Sequence, residues 1–365
     1  MSRTVFAVAV MLSFLTVETA GAESMEHIVV YREPGRFAGW PANNGIWSWG
    51  DEIVVGFVEG RFKFVSPFDH PIDSAEPETT RFARSLDGGR TWSIEVPSFL
   101  DKKGKQRAPV ERTRPIDFSH PDFAMRLRMN RTPPGHSRIY YSRDRCHTWE
   151  GPYQLPKFDQ KFIMARTDYL VDGPHLATAF ITSTKKNGRE GRVLCARTTD
   201  GGQTWKFVSW VGPEPKGFSI MPSSVRLSAT DIVTILRRKE GPKHWLDAYR
   251  SSDDGRTWRL QREQFASTGG SHGNPPSLTA LGDGRLAVTY GYRSAPFGMR
   301  ARISDDGGDT WGDEIVLRDD AGCWDLGYPA TTQRADGKLV TVYYYNDALK
   351  SERYIAATIW DPDEH

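Results

Sequence analysis

SLDGGRTW (85–92), SRDRCHTW (142–149), TTDGGQTW (198–205), SSDDGRTW (251–258) and SDDGGDTW (304–311) repeat one pattern, Ser/Thr-x-Asp-x-Gly-x-Thr-Trp, with Cys146 in the glycine place of the second copy. The aspartates are Asp87, Asp144, Asp200, Asp253 and Asp306, spaced by 57, 56, 53 and 53 residues. A period of that size marks a repeated supersecondary unit. Each copy predicts a turn that stabilises itself. The carboxylate accepts from the backbone N–H groups that follow it. The glycine supplies positive φ, and the tryptophan covers the turn with an apolar face. The turn at Cys146 must therefore accept a Cβ or distort.

Working outward, each box follows a strand-like run: RFARS (81–85), SRIYYS (137–142), RVLCART (192–198), LDAYRS (246–251) and MRARIS (299–304). Two further runs precede these where the units align. PSLTAL (276–281), a Gly-Asp-Gly turn and RLAVTYGYR (285–293) lead into the fifth box. PATTQR (329–334), an Ala-Asp-Gly turn and KLVTVYYYN (338–346) begin a sixth unit. Alternating apolar residues and short turns predict strands, and no long helix is expected. The fold class is therefore all-β, a six-bladed β-propeller of four-stranded blades. A sixth box is due near residue 359, but YIAATIW (354–360) ends the repeat. HIVVYR (27–32) is a lone strand before the first blade. We expect it to join the last blade and close the ring, which removes a sheet edge.

Arg3, the apolar run VFAVAVMLSFLTV (5–17) and Ala20-x-Ala22 predict a signal peptide over residues 1–22. The propeller domain then spans 23–365, and the protein is expected to be secreted or periplasmic. No other segment could cross a membrane. A net charge of +2 gives no general field for nucleic acid or membrane. Cys146, Cys195 and Cys323 allow one disulfide at most. No Cys/His set has zinc spacing, so no metal and no cofactor are expected.

In a propeller, ligands sit at one mouth of the central channel. Sliding the units over one another places Trp40, Arg114, Arg166, Met221, Pro275 and Tyr328 just before the innermost strands. His272 and Asn274 lie close by in the fifth unit. Arg61, Asn130, Thr184, Arg237 or Arg238, Arg293 and Asn346 follow the second strands and share that mouth. So many guanidinium groups predict an anion pocket, because their planar forks suit carboxylate or sulfate. Trp40 and Asp325 are further candidate contacts. Tyr328, beside arginines, is a candidate nucleophile or acid, or else a packed ring bonded to Asp325. Glu59, Asp69 and Asp73 mark a long loop, VSPFDHPIDSAEPE (65–78), above the mouth. SHPD (119–122) and DGPH (172–175) fall on the opposite face and are set aside.

The boxes resemble those of the sialidase superfamily, and the resemblance covers nearly the whole chain after residue 22. VEGR (58–61) looks like that family's Ala-Glu-Gly-Arg segment, and LGYP (326–329) like the segment bearing its nucleophilic tyrosine. The resemblance implies that Tyr328 is the nucleophile. It also implies that Arg237 and Arg293 bind a substrate carboxylate and that Asp69 is the acid/base. Two family features are missing. No arginine stands at Gly39-Trp40-Pro41, with Arg36 the nearest substitute, and no glutamate stands near Met221.

Three functions follow. The first is a secreted exo-acting glycoside hydrolase of sialidase type on an acidic terminal sugar, sialic-acid-like or uronic. Arg61, Arg114 and Arg166 would add positive field. The second is a lyase on uronate-containing polysaccharide, with His272 and Tyr328 moving the proton. The third is a propeller that binds acidic glycan without catalysis. All three share an acidic glycan as partner.

Overall fold

The protein is described here from a computed structural model that covers residues 25–100, 107–129, 137–270 and 272–364. The expected signal peptide (1–22) and Asn130 lie outside the described residues. The chain forms six antiparallel sheets arranged as propeller blades. Blade five shows the plan: Pro276–Ala280, Leu286–Tyr292, Gly298–Ser304 and Ile315–Arg318 pair in sequence order. Its second strand is almost wholly buried, because inner strands are packed on both faces by neighbouring blades. One such seam joins blade six to blade one, where Val340, Val342 and Tyr344 meet Phe37, Val55 and Phe57.

Blade six is Gly327–Gln333, Leu339–Tyr345 and Tyr354–Trp360, completed by Glu26–Tyr31. Glu26 faces Ile359 and Val29 faces Ala356, with a bulge before Tyr31. The first strand of the chain thus occupies the outer place of the last blade, as the missing sixth box implied.

Blade two departs from the plan. It has three strands, Ala124–Arg128, Arg138–Ser142 and Glu150–Gln154. Its inner edge is satisfied by side chains of blade three. Met125 N donates to the Tyr169 hydroxyl (3.0 Å) and Leu127 N to Thr167 Oγ1 (3.3 Å). The segment around Arg114 runs elsewhere. Ile116 N donates to Gly201 O in the third box (2.8 Å), and Phe118 N to Pro174 O (2.7 Å). Box turns lie on the face opposite the mouth, so Arg114 is not a mouth residue. The alignment fails here because, among the described residues, this blade has no innermost strand.

Every box closes in one way. In the fourth, Asp253 Oδ1 accepts from Ser251 Oγ (2.8 Å), Arg256 N (3.1 Å) and Thr257 N (2.8 Å), and Oδ2 from Thr257 Oγ1 (2.7 Å). The Thr N–H and hydroxyl bonds recur at Asp87, Asp144, Asp200 and Asp306. Cys146 takes φ 70°, the left-handed conformation of its glycine counterparts, and donates its N–H to Ser142 Oγ (2.9 Å). The second turn therefore keeps its shape. Hydrogen bonds from Thr257 hold the Asp253 carboxyl down at about 2.

Asp253→Ala removes these bonds and is expected to lower unfolding free energy by roughly 1–2 kcal/mol, while the activity of the folded protein is unchanged. Denaturant unfolding and specific activity check both. The folded carboxyl lies below its ordinary value, so its stabilisation is full above about pH 4 and fades as pH falls towards 2. The acid limb of the stability profile should shrink in the variant.

Candidate functional site

The mouth is built from the turns that enter the innermost strands. Trp40, Met221 and Tyr328 each precede a proline and each adopt left-handed φ, at 62°, 53° and 51°. Such backbone costs of order 1–3 kcal/mol per residue and persists where packing enforces it. Asn274 enforces it at Tyr328. Wholly buried, it accepts from Tyr328 N (2.8 Å) and donates to Leu326 O (2.8 Å). Gly327 (φ 100°) is required here, since a Cβ would stand 2.4 Å from Asn274 Nδ2.

Tyr328 is thereby aimed at two arginines. Arg237 Nη1 donates to its hydroxyl (3.1 Å) and to Met221 Sδ (3.3 Å), and Arg237 Nη2 donates to His272 O. Arg293 donates from Nε and Nη2 to Leu326 O (3.1 and 2.8 Å) and from Nη2 to the Tyr344 hydroxyl (2.6 Å). Both guanidinium carbons lie near the Tyr328 ring, at 5.8 and 5.5 Å from its centroid. Both side chains are buried, and among the described residues neither has a carboxylate within ion-pair distance. Burial pushes the Tyr328 phenol up, but Arg237, then Arg293 and Arg166, pull harder, and the net direction is down.

A buried carboxylate stands one layer deeper. Asp325, wholly inaccessible, accepts from Tyr344 Oη (2.6 Å) and Arg353 Nε (2.9 Å) and pairs with His70 Nδ1 (2.6 Å). Burial pushes its carboxyl up, yet His70, Arg353 and Arg293 hold it well below the usual range. Asp325 therefore cannot touch a substrate, contrary to expectation, nor does it bond Tyr328; Tyr344 takes that place. Trp324 spans the opening. Its Nε1 donates to Pro67 O (2.7 Å), and its ring stacks on His272 at 4.3 Å and 14°. Burial, then Arg293, His70 and Arg237, lower the His272 pKa, which favours the neutral imidazole.

The other expected residues divide. Trp40 lines the mouth edge-on to His70, at 5.3 Å. Arg166 stands further in, bound to Glu190 (2.8 Å) and Asn43 (3.1 Å), and acts on Tyr328 through its field. Arg61 is exposed on the rim, 3.7 Å from Glu76. Asp69 is exposed and accepts from Ser66 Oγ (2.7 Å). Glu59 and Asp73 are tied to Arg81 (2.7 Å) and Lys63 (3.2 Å). Arg36 turns to Glu59 (3.7 Å) and supplies no third arm. Arg238 is held by Asp247, so Arg237 is the mouth arginine of its pair. Beneath lies an axial cavity of about 310 Å³, lined in part by Arg166, Asp168, Met221 and Pro329. Burial pushes the Asp168 carboxyl up to about 7, against hydrogen bonds from Ser224. His70, Trp324 and Asp168 escaped the sequence reading.

A family model described as a BNR repeat-like domain matches residues 79–341, most of the chain. The chain belongs to the BNR repeat-like family. No curated protein matches it. Solved structures share the architecture of this BNR repeat-like propeller. A protein of unknown function from Dyadobacter fermentans is 22% identical with a TM-score of 0.69, over 92% of this chain and 97% of that one. The NanB sialidase of Streptococcus pneumoniae is 12% identical with a TM-score of 0.59, over 92% and 70%. The α-L-arabinofuranosidase Arb93A of Fusarium graminearum is 14% identical with a TM-score of 0.57, over 94% and 99%. At such identities the likeness concerns the fold, one on which glycosidases are built.

Arg237→Gln is expected to raise the phenol pKa of Tyr328 above that of the parent. Ultraviolet titration against a Tyr328→Phe reference reads this directly. An unchanged midpoint would show that the guanidinium does not govern the phenol.

Proposed function

We propose that this BNR repeat-like propeller is an exo-acting glycoside hydrolase that removes an acidic terminal sugar, with Tyr328 as nucleophile. One observation carries the reading: the Tyr328 hydroxyl is bonded to Arg237, beside Arg293, and among the described residues neither arginine has a carboxylate within ion-pair distance. A mouth built this way favours an anion and a phenolate together. Arg237 and Arg293 hold the sugar carboxylate, with Arg166 and the rim residue Arg61 adding field. Tyr328 attacks the anomeric carbon, and a group on the 62–78 loop protonates the leaving oxygen. The leader expected over residues 1–22 would deliver the enzyme outside the cytoplasm, where glycan ends are found.

Met221 favours a second reading. It occupies the place beside Tyr328 where a carboxylate would serve a glycosidase, and Arg237 touches its sulfur instead. Tyr328 and His272 would then move the proton of a uronate in β-elimination, with the arginines neutralising the carboxylate. The products differ, because elimination leaves a new double bond with its own ultraviolet absorption.

A screen of acidic glycosides and uronate polysaccharides with the chain lacking residues 1–22 tests both. Release of a saturated acidic monosaccharide is expected, and Tyr328→Phe should lower kcat/KM by roughly 10³-fold or more. Ultraviolet-absorbing products would select the lyase. Binding without turnover would leave a lectin-like propeller.

A further inference from the structure

We propose that His70, rather than its neighbour Asp69, is the proton donor to the leaving group, and that Asp325 positions it; this rests on the hydrolase reading above. The inference begins with where the loop is pinned. Residues 62–78 leave the second strand of blade one (Glu52–Arg61), fold back on themselves at two points and are tied to the mouth at a third. Phe62 bridges Ile72, Lys63 N donates to Pro71 O (3.0 Å), and Pro67 O accepts from Trp324 Nε1 (2.7 Å). Between these points the chain sends adjacent side chains in different directions. Asp69 stays exposed on Ser66. His70 enters the mouth between the rings of Trp40 (5.3 Å) and Trp324 (5.6 Å).

Its two nitrogens are then distinguished. Nδ1 lies 2.6 Å from Asp325 Oδ1, and Asp325 is fixed in turn by Arg353 and Tyr344. A buried carboxylate on Nδ1 fixes the ring orientation and tautomer, which leaves Nε2 to act outward. The side chain remains about one-third exposed (32%), so the imidazole is open to the mouth. Trp324 and Arg293 connect it to the nucleophile: the Arg293 guanidinium is 5.2 Å from the Trp324 ring and 5.5 Å from the Tyr328 ring. His70 and Tyr328 therefore border one opening from two sides, as an acid and a nucleophile must.

The step balances. The Tyr328 oxygen, as phenolate, bonds to the anomeric carbon while the glycosidic C–O bond breaks. The Nε2 proton passes to the leaving oxygen, and His70 becomes neutral. In the second half neutral Nε2 takes a proton from water, the water oxygen bonds to the anomeric carbon, and the tyrosyl C–O bond breaks. Asp325 bonds His70 directly and His272 interacts with it, while Arg353 and Arg293 act on Asp325 behind it.

The test uses two substrates of one acidic sugar, a nitrophenyl glycoside and a sugar–sugar linkage. His70→Asn keeps an N–H for Asp325 but no acid. Its kcat/KM on the sugar–sugar linkage is expected to fall by about 10²–10⁴-fold, with the nitrophenyl glycoside, which needs no proton, largely spared. The alkaline limb of the kcat/KM–pH profile should also disappear. Circular dichroism and the thermal midpoint establish folding, and His70→Gln serves as the second variant. Equal losses on both substrates, or a retained alkaline limb, overturn the assignment. So does a leaving-group-dependent loss in Asp69→Asn instead. A parent protein that hydrolyses neither substrate sinks the hydrolase reading itself, and the assignment with it.

Discussion

One buried carboxylate organises the mouth. Asp325 is sealed from solvent, yet Arg353, His70 and Tyr344 all bond to it, and Arg293 bonds to Tyr344 in turn. A buried ion pair contributes little net stability, but loss of one partner leaves a charge stranded in a poor solvent. The carboxylate cannot be exchanged without upsetting the loop over the mouth, the arginine beside the tyrosine and the strand that follows Arg353. It sits three residues before Tyr328, so the same short segment carries the anchor and the phenol at the mouth.

Above that anchor the balance of charge reverses. Among the described residues Arg237 and Arg293 are buried without a carboxylate in ion-pair contact, and their repulsion is tolerated because backbone carbonyls and phenol oxygens accept their N–H groups. This arrangement leaves their hydrogen bonding nearly complete without a direct ion pair among the described residues. The left-handed backbone at Trp40, Met221 and Tyr328 belongs to the same economy of shape, since strain tolerated at a mouth is strain that aims side chains inward.

The architecture was legible because its signal is local and repeated. Each box holds its own hydrogen bonds within eight residues, so five copies announce five turns wherever the rest of the chain goes. Blade six could be counted from the box it lacks. Blade two misled because its inner edge is satisfied by Tyr169 and Thr167, side chains of another blade, and no periodicity records such a substitution. The site was legible in part for a similar reason. Tyr328, Arg237 and Arg293 occupy equivalent places in aligned units. His70 occupies no such place, and the partner that gives it meaning is 255 residues away. The loop was noticed for its acids, while the imidazole between them went unread.

The pairing of Glu26–Tyr31 with Tyr354–Trp360 has a consequence for biogenesis. Glu26–Tyr31 is synthesised more than 300 residues before Tyr354–Trp360 and must wait for it to be hydrogen-bonded. Blade six cannot be clasped until Tyr354–Trp360 has been made. A nascent chain halted before that strand carries an unmet β-edge at Glu26–Tyr31, a target for chaperones and for other chains alike.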